Sequence, residues 1–168
     1  MPKNWPELHL AAYNADADGV SALLSRGEDP NCYDEEGFMP LHWLALRAKV
    51  ADPLPTARLL LAAGANVNAP TASGKDTVLS WSIEAGHMPL FELLLSSGAN
   101  PNLAADEVTP LMRAASERNV RMVVHLLKLG ADPHAKAGRF TAVDYAANKR
   151  LARIIERFPG NRNVGAAA

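Results

Sequence analysis

The chain has little of what marks a disulfide-bonded, metal-bound or membrane-spanning protein. Its 168 residues include one cysteine, Cys32, which excludes an intramolecular disulfide and a cysteine-based zinc site. No apolar run approaches the ~18 residues of a transmembrane helix, so no membrane association is expected. No apolar leader precedes the first amphipathic segment, and we therefore expect a cytoplasmic protein.

Net charge is also small, but the charges are unevenly distributed. The formal net charge is −1; residues 1–108 carry 6 Lys and Arg against 14 Asp and Glu, and residues 109–168 carry 11 against 4. This polarity can steer a charged partner, or it can simply keep the two ends of the molecule soluble. The basic residues are spread over helices and loops without interleaved aromatics, so nucleic acid is not expected as a partner.

What the chain does contain is repetition. A phrase of the type Gly-Ala-Asn-Pro-Asn occurs four times, with Gly-to-Gly intervals of 37, 34 and 32 residues, at 27–31, 64–68, 98–102 and 130–134. A near-constant period between about 20 and 50 residues is typical of stacked repeats.

A second phrase precedes each copy and predicts paired helices. Segment 39–45 reads Met-Pro-Leu-His-Trp-Leu-Ala and segment 109–115 reads Thr-Pro-Leu-Met-Arg-Ala-Ala; related segments stand at 6–12 and 77–83, and a fifth at 141–147 follows the last Gly phrase. Thr followed by Pro favours a helix start, and the Gly of the first phrase suits the left-handed position that ends a helix. An apolar block ending in a Leu pair lies between the first four pairs of phrases, so each unit is predicted to be helix, turn, helix and extended loop.

Together these phrases resemble the ankyrin repeat. The resemblance covers residues 5 to about 158 and implies an all-α solenoid of about five helix-turn-helix repeats with short hairpin loops. The repeats fall at about 5–34, 35–70, 71–104, 105–136 and 137–158. We expect one domain over residues 1–160 and a flexible tail at 161–168.

Two departures from the repeat stand out. The stretch 49–55 is about four residues longer than its counterparts and contains two prolines, so a stiff, bulging loop is expected. The connections between the two phrases also differ by one or two residues among repeats, which predicts hairpins of different shapes.

No pattern of residues indicates catalysis. We find no phosphate-binding loop, dinucleotide-binding glycines or nucleophile elbow, and no cofactor or metal site is expected. His9 and His42 occupy the family's Thr-Pro-Leu-His position, where the resemblance implies a hydrogen bond between repeats. His125 and His134 have no carboxylate or thiol at metal-ligand spacing.

The resemblance therefore implies a non-catalytic protein that binds a protein partner. In such repeats the hairpin tips and the exposed face of each first helix line a concave surface. The candidate contact residues are Glu35, Glu36, Phe38, Trp43, Leu46, Arg47, Lys75, Asp76, Trp81, Glu84, Asp106, Arg113, Glu117, Arg139, Phe140 and Tyr145.

The aromatic residues of this set allow two interpretations. Trp43 and Trp81 either pack between neighbouring repeats or supply binding energy, as aromatic residues and Arg often do. Phe38 and Phe140 are predicted at exposed hairpin tips with less to pack against, which makes them the preferred contacts.

Alternative functions remain open at this point. Thirty alanines and a short chain resemble bacterial members of the family, among which an immunity-like inhibitor of a toxin or enzyme is a specific alternative. A small-ligand or enzymatic role would need a deep pocket with convergent polar groups. A self-associating module is a further possibility, although we expect a monomer.

Overall fold

The structure, a computed structural model, describes residues 5–47 and 52–158, apart from the Arg47 side chain. The predicted tail at 161–168 and residues 49–51 of the long connection lie outside the described residues. Nine α-helices occupy the described ranges: α1 (Glu7–Tyr13), α2 (Ala17–Ser25), α3 (Pro40–Arg47), α4 (Leu54–Ala62), α5 (Val78–Glu84), α6 (Met88–Ser96), α7 (Pro110–Ser116), α8 (Val120–Lys128) and α9 (Lys149–Arg157).

The helices are grouped in two compact units. Unit 1, Met1–Ala99, contains α1 to α6, and unit 2, Asn100–Ala168, contains α7 to α9. In unit 1 the first helices α1, α3 and α5 pack in order, the second helices α2, α4 and α6 do the same, and each first helix packs on its own second helix. In unit 2, α8 packs on both α7 and α9. This all-α repeat architecture confirms the predicted fold class.

The helix ends follow the predicted signals. Thr77 and Thr109 cap α5 and α7 by accepting hydrogen bonds from the backbone N–H of Ser80 and Met112, at 3.2 and 3.3 Å. The four repeated glycines all have φ between 87° and 93°, and they are Gly27, Gly64, Gly98 and Gly130. They end the second helices in the left-handed conformation that residues with a Cβ rarely adopt.

The last residue of the repeated phrase has a role that the pattern did not reveal. The Asn31 amide donates to the Gly64 carbonyl at 3.0 Å and accepts the N–H of Asn66 at 2.7 Å. In unit 2, Asn102 makes the same two bonds, to Gly130 at 3.1 Å and from Asp132 at 2.8 Å. These asparagines fasten each loop to the next along the chain.

The fifth repeat does not have the predicted helix pair. Residues 142–145 form turns, and α9 is the single helix of this repeat. The Asp144 carboxylate accepts hydrogen bonds from both the N–H and the hydroxyl of Thr141, at 2.7 and 2.9 Å, and the Thr141 carbonyl accepts the N–H of Tyr145 at 3.4 Å, which closes a single turn. Asn148 then has an extended backbone (φ −156°) and caps α9, which prevents a helix from continuing through 141–148.

The described part of the long connection is also less irregular than expected. Pro53 is the N-cap of α4 and Pro55 lies in its first turn. Proline fits there because the first-turn N–H groups have no partner within the helix. In the described part, the second proline therefore belongs to a helix and not to a bulging loop.

The hairpins differ in length, as the connection lengths predicted. Single antiparallel bridges join Pro70 to Thr77 in unit 1, and Ala105 to Val108 and Ala137 to Phe140 in unit 2. The first therefore encloses six residues and the others two. The earlier loop in unit 1 is closed by hydrogen bonds between Asp34 and Phe38.

Candidate functional site

Aromatic side chains from the first three repeats meet in unit 1. This aromatic cluster contains the rings of Trp5, Tyr13, Phe38, His42, Trp43 and Trp81. Ring centroids lie 4.4 Å apart for Trp5 and Trp43, 4.9 Å for Phe38 and Trp43, and 5.1 Å for Phe38 and Trp81. These are contact distances for aromatic pairs, so the rings form one continuous row along α1, α3 and α5.

Trp43 is the interior member of the cluster. Its side chain is only 7% exposed, between the rings of Trp5, Tyr13 and Phe38. Its indole N–H donates a hydrogen bond to the Asp34 carboxylate at 2.5 Å. Trp43 therefore packs between neighbouring repeats, as the first of the two interpretations predicted. Trp81, at the equivalent position of α5, is half-buried against Phe38 and His42.

Asp34 organises the hairpin that precedes α3. One carboxylate oxygen accepts the backbone N–H groups of Glu36 and Phe38, at 3.0 and 2.9 Å, while the other accepts the Trp43 indole. The hairpin is thereby fixed to α3. Sequence analysis missed both Asp34 and Trp5; the carboxylate at the start of a short loop was the available signal for Asp34.

Phe38 is less exposed than the sequence predicted. The sequence predicted a hairpin tip with little to pack against, but the ring is half-buried and contacts two tryptophans. The loop of residues 34–38 folds back over α3, because Asp34 turns it and His9 holds it through the Phe38 carbonyl at 3.1 Å. Phe38 presents part of its ring to solvent as a member of the cluster.

Exposed side chains surround the cluster. Leu46 is 50% exposed one turn after Trp43, and Leu10 is 39% exposed on α1. The charged members of the predicted set lie around them: Glu35, Glu36, Lys75 and Glu84 are exposed and Asp76 is half-buried. Arg47 ends α3, and its side chain is outside the described part. We call these residues, with Phe38 and Trp81, the hairpin face of unit 1.

Unit 2 contains the remaining predicted residues. Arg113 is half-buried and Glu117 exposed at α7, and Asp106 is exposed in the hairpin before it. Phe140 is 45% exposed, with the Arg139 guanidinium 5.1 Å above its ring. Tyr145 was expected on a first-helix face and instead lies half-buried in the turns of residues 142–145, its ring centroid 6.5 Å from that of Phe140.

The two buried histidines serve the scaffold. His9 Nε2 lies 3.2 and 3.1 Å from the carbonyls of Cys32 and Phe38, and His42 Nε2 lies 3.2 Å from the Ala69 carbonyl. These bonds join neighbouring repeats, as the resemblance implied. Burial lowers the pKa of His42 to about 4 and also lowers the pKa of His9. Both rings are therefore neutral near pH 7.

A metal site, a pocket or a membrane span would each indicate a different function. Among the side chains that the structure describes, no three His, Cys, Asp or Glu residues lie close enough together to hold a metal ion. A groove on α4 and α6 is lined by Arg58, Leu61, Ala62, Ala65, Leu93 and Ser97. This wall contains neither a carboxylate nor an imidazole. None of the helices in the described ranges is both long and apolar enough to cross a membrane.

Comparison with known families agrees with this architecture. The family model for ankyrin repeats in three copies matches residues 8–105 and 50–137. The chain belongs to the ankyrin-repeat family. The ankyrin match accounts for the inter-repeat histidines and for the paired helices of the first four repeats.

Curated relatives share the ankyrin repeats within longer proteins. The chain is 37% identical to the palmitoyltransferase ZDHHC17 of Danio rerio over 73% of this chain and 25% of that protein. It is 38% identical to the mouse B-cell lymphoma 3 protein homolog over 66% of this chain and 24% of that protein. It is 33% identical to the probable E3 ubiquitin-protein ligase XBOS34 of rice over 67% of this chain and 21% of that protein. The chain thus spans about a quarter or less of these relatives.

Proposed function

We propose that this ankyrin-repeat chain is a non-catalytic protein-interaction module. It binds a protein partner through its hairpins and first helices, on a surface that we predict to be concave. Membership of the ankyrin-repeat family supports protein binding in general. The residues proposed to contribute most are Phe38, Leu46 and Trp81 in unit 1, with Phe140 in unit 2.

The observation that carries the proposal is the fixed yet accessible position of Phe38 and Trp81. Each ring is half-buried, and their centroids are 5.1 Å apart. Trp43 and Asp34 hold the hairpin beneath them, so little side-chain freedom remains to be lost on binding. Tryptophan is among the residues that most often dominate interface energy.

The non-catalytic part of the proposal rests on how the polar groups are used. Enzyme sites usually combine a pocket with titratable groups that are free to react. Here His9 and His42 hydrogen-bond backbone carbonyls of the neighbouring repeat. One relative is named a palmitoyltransferase, but this chain spans only 25% of that protein, and the name describes the relative.

The test is affinity capture from lysate with a matched pair of variants. Leu46→Glu and Trp81→Ala alter the hairpin face, whereas Leu129→Glu makes the same Leu-to-Glu change at a residue that is also 50% exposed but lies at the end of α8. We expect the first two variants to lose a partner that Leu129→Glu retains. If both hairpin-face variants still captured every partner, the proposed binding surface would be wrong.

A separate variant tests unit 2. Phe140→Glu places a carboxylate on an exposed hairpin, where it should fold normally and reduce capture if Phe140 contacts the partner. If Phe140→Glu captures the partner as well as the unmodified chain does, the contact is restricted to unit 1.

A further inference from the structure

Helix α9 presents three arginines on one face. Arg150, Arg153 and Arg157 are spaced by three and four residues, which places them on one side of an α-helix. Together with Ile154 they line a groove on the surface of unit 2, which we call the arginine groove. All three arginines are exposed and Ile154 is half-buried.

The opposite side of α9 fixes these positions. Leu151 and Ile155 are buried, at 1% and 0% exposure. Asn148 caps the helix by accepting the Leu151 N–H at 2.9 Å. The arginines therefore extend from a helix that is anchored by its apolar side, and the first and last are about 10 Å apart along its axis.

Positive charge predominates around this face in the described part of the chain. Within the described residues, no carboxylate forms an ion pair with any of the three arginines. The remaining titratable residues of α9 are Lys149 and Glu156, and α8, which packs on it, carries Arg121, His125 and Lys128 but no carboxylate. Like charges three or four residues apart destabilise a helix, and an anionic ligand would relieve that repulsion.

We propose that the arginine groove docks an acidic helical segment of a partner protein. A helix with carboxylates spaced by three and four residues matches the spacing of the three guanidinium groups, and each guanidinium can bind a carboxylate through two N–H groups. Ile154 adds an apolar contact between the charges. This surface is distinct from the hairpin and first-helix surface of the proposed function.

Two other anionic partners fit the groove less well. Single-stranded nucleic acid uses aromatic rings on which bases stack, and the four lining residues include none. A phosphate backbone would also leave Ile154 without an apolar partner. A membrane-surface helix inserts its apolar side into lipid, whereas the apolar residues Leu151 and Ile155 of α9 are buried in unit 2.

The probe is a fluorescein-labelled helical peptide with Glu at positions 1, 4 and 8 and Leu at position 5. Its affinity for the full chain is measured by fluorescence anisotropy at low and moderate salt. The triple variant Arg150→Gln, Arg153→Gln, Arg157→Gln should bind about tenfold more weakly, since each exposed ion pair contributes about two- to threefold. The control triple Arg58→Gln, Arg118→Gln, Lys136→Gln makes the same charge change at exposed residues outside α8 and α9 and should lose less than about twofold on the same scale.

A charge swap distinguishes docking from a purely structural role. The triple variant Arg150→Glu, Arg153→Glu, Arg157→Glu should reject the Glu peptide and bind its Lys counterpart. Circular dichroism checks that each variant is folded. If the Gln triple variant unfolds, a triple Arg→Lys variant replaces it. Its affinity for the peptide should fall about threefold, because lysine keeps the charge but cannot bind a carboxylate through two N–H groups. Equal losses in the α9 and control triples would overturn the proposal. The proposal would also be wrong if the chain bound a 16-base-pair DNA duplex or phosphatidylserine vesicles more tightly than the peptide, and if that binding required the three arginines.

Discussion

The indole N–H of Trp43 donates a hydrogen bond to Oδ2 of Asp34. This bond joins helix α3 to the hairpin before it, in a place where the indole is almost entirely buried. Trp43, one of the candidate contact residues of the sequence, is thereby turned toward the protein interior. Its neighbours Phe38 and Trp81 remain accessible at the surface that Trp43 supports.

Substitution of Trp43 should reduce stability more than substitution of Trp81. Trp43→Ala should lower the free energy of unfolding by about 3 to 5 kcal/mol, as expected for a large buried aromatic residue. Trp43→Phe should cost about 1 to 3 kcal/mol because the Asp34 carboxylate loses a donor. Urea denaturation measures both, with Trp81→Phe as the half-buried control. Equal losses in Trp43→Phe and Trp81→Phe would contradict the role of the Asp34 bond.

Gly37 and Gly74 form a matched pair for hairpin contact. Both have positive φ, at 82° and 70°, but a Cβ on Gly37 would lie 2.7 Å from the Ala72 Cβ whereas one on Gly74 would meet nothing within 4 Å. Gly74→Ala should cost about 1 kcal/mol of stability from backbone strain alone. Gly37→Ala should cost at least about twice that, because steric overlap adds to the strain. Thermal unfolding of the two variants measures both losses of stability. A smaller loss for Gly37→Ala than for Gly74→Ala would contradict the predicted overlap with Ala72.

The inter-repeat asparagine can be tested at Asn102. Asn102→Ala removes a donor to the Gly130 carbonyl and an acceptor for the Asp132 N–H, and should cost about 1 kcal/mol. Asn102→Asp keeps the acceptor and loses the donor. Hydrogen exchange should show that the Asp132 amide loses protection in the Ala variant and keeps it in the Asp variant. Unchanged protection in both would mean that the side chain does not fasten this loop.

Stability should fall in mild acid because of His42. Burial lowers its pKa to about 4, below the 6.5 of an unperturbed histidine, so the unfolded state binds more protons between these two values. The stabilising contribution is fully present above about pH 6.5, and on the order of 3 kcal/mol is lost as the pH falls to about 4. Urea denaturation from pH 7 to pH 4 should show this decline, with a shallower slope in His42→Gln. The same slope in both proteins would exclude His42 as the cause.

The periodic phrases predicted the first four helix pairs well, because their signals act over a few residues. Thr109 caps the helix that starts at the next residue, and Gly98 ends the helix just before it. The fifth repeat departs from the prediction after Thr141, where a matching phrase forms turns over residues 142–145 and α9 starts only after its cap, Asn148. The pattern predicts where a helix can start, but it does not show how many turns follow.

The candidate site was less predictable. Helical spacing identified Trp43 and Trp81 as equivalent positions, yet one is buried and the other half-exposed. The difference at Trp43 comes from Trp5, 38 residues earlier in the chain, and from Asp34, whose carboxylate binds the indole. Neither partner is adjacent to Trp43 in sequence. A local pattern therefore could not assign the burial.

By itself, the sequence determined the ankyrin-repeat architecture, the helix boundaries marked by Thr, Pro and Gly, and the uneven distribution of charge. These follow from backbone preferences and short-range hydrogen bonds, which depend on neighbouring residues. Only the tertiary structure decided that Trp43 faces inward, that Phe38 packs on two tryptophans, and that the arginines of α9 lack acidic partners among the described residues. Those properties depend on which distant side chains meet once the repeats stack.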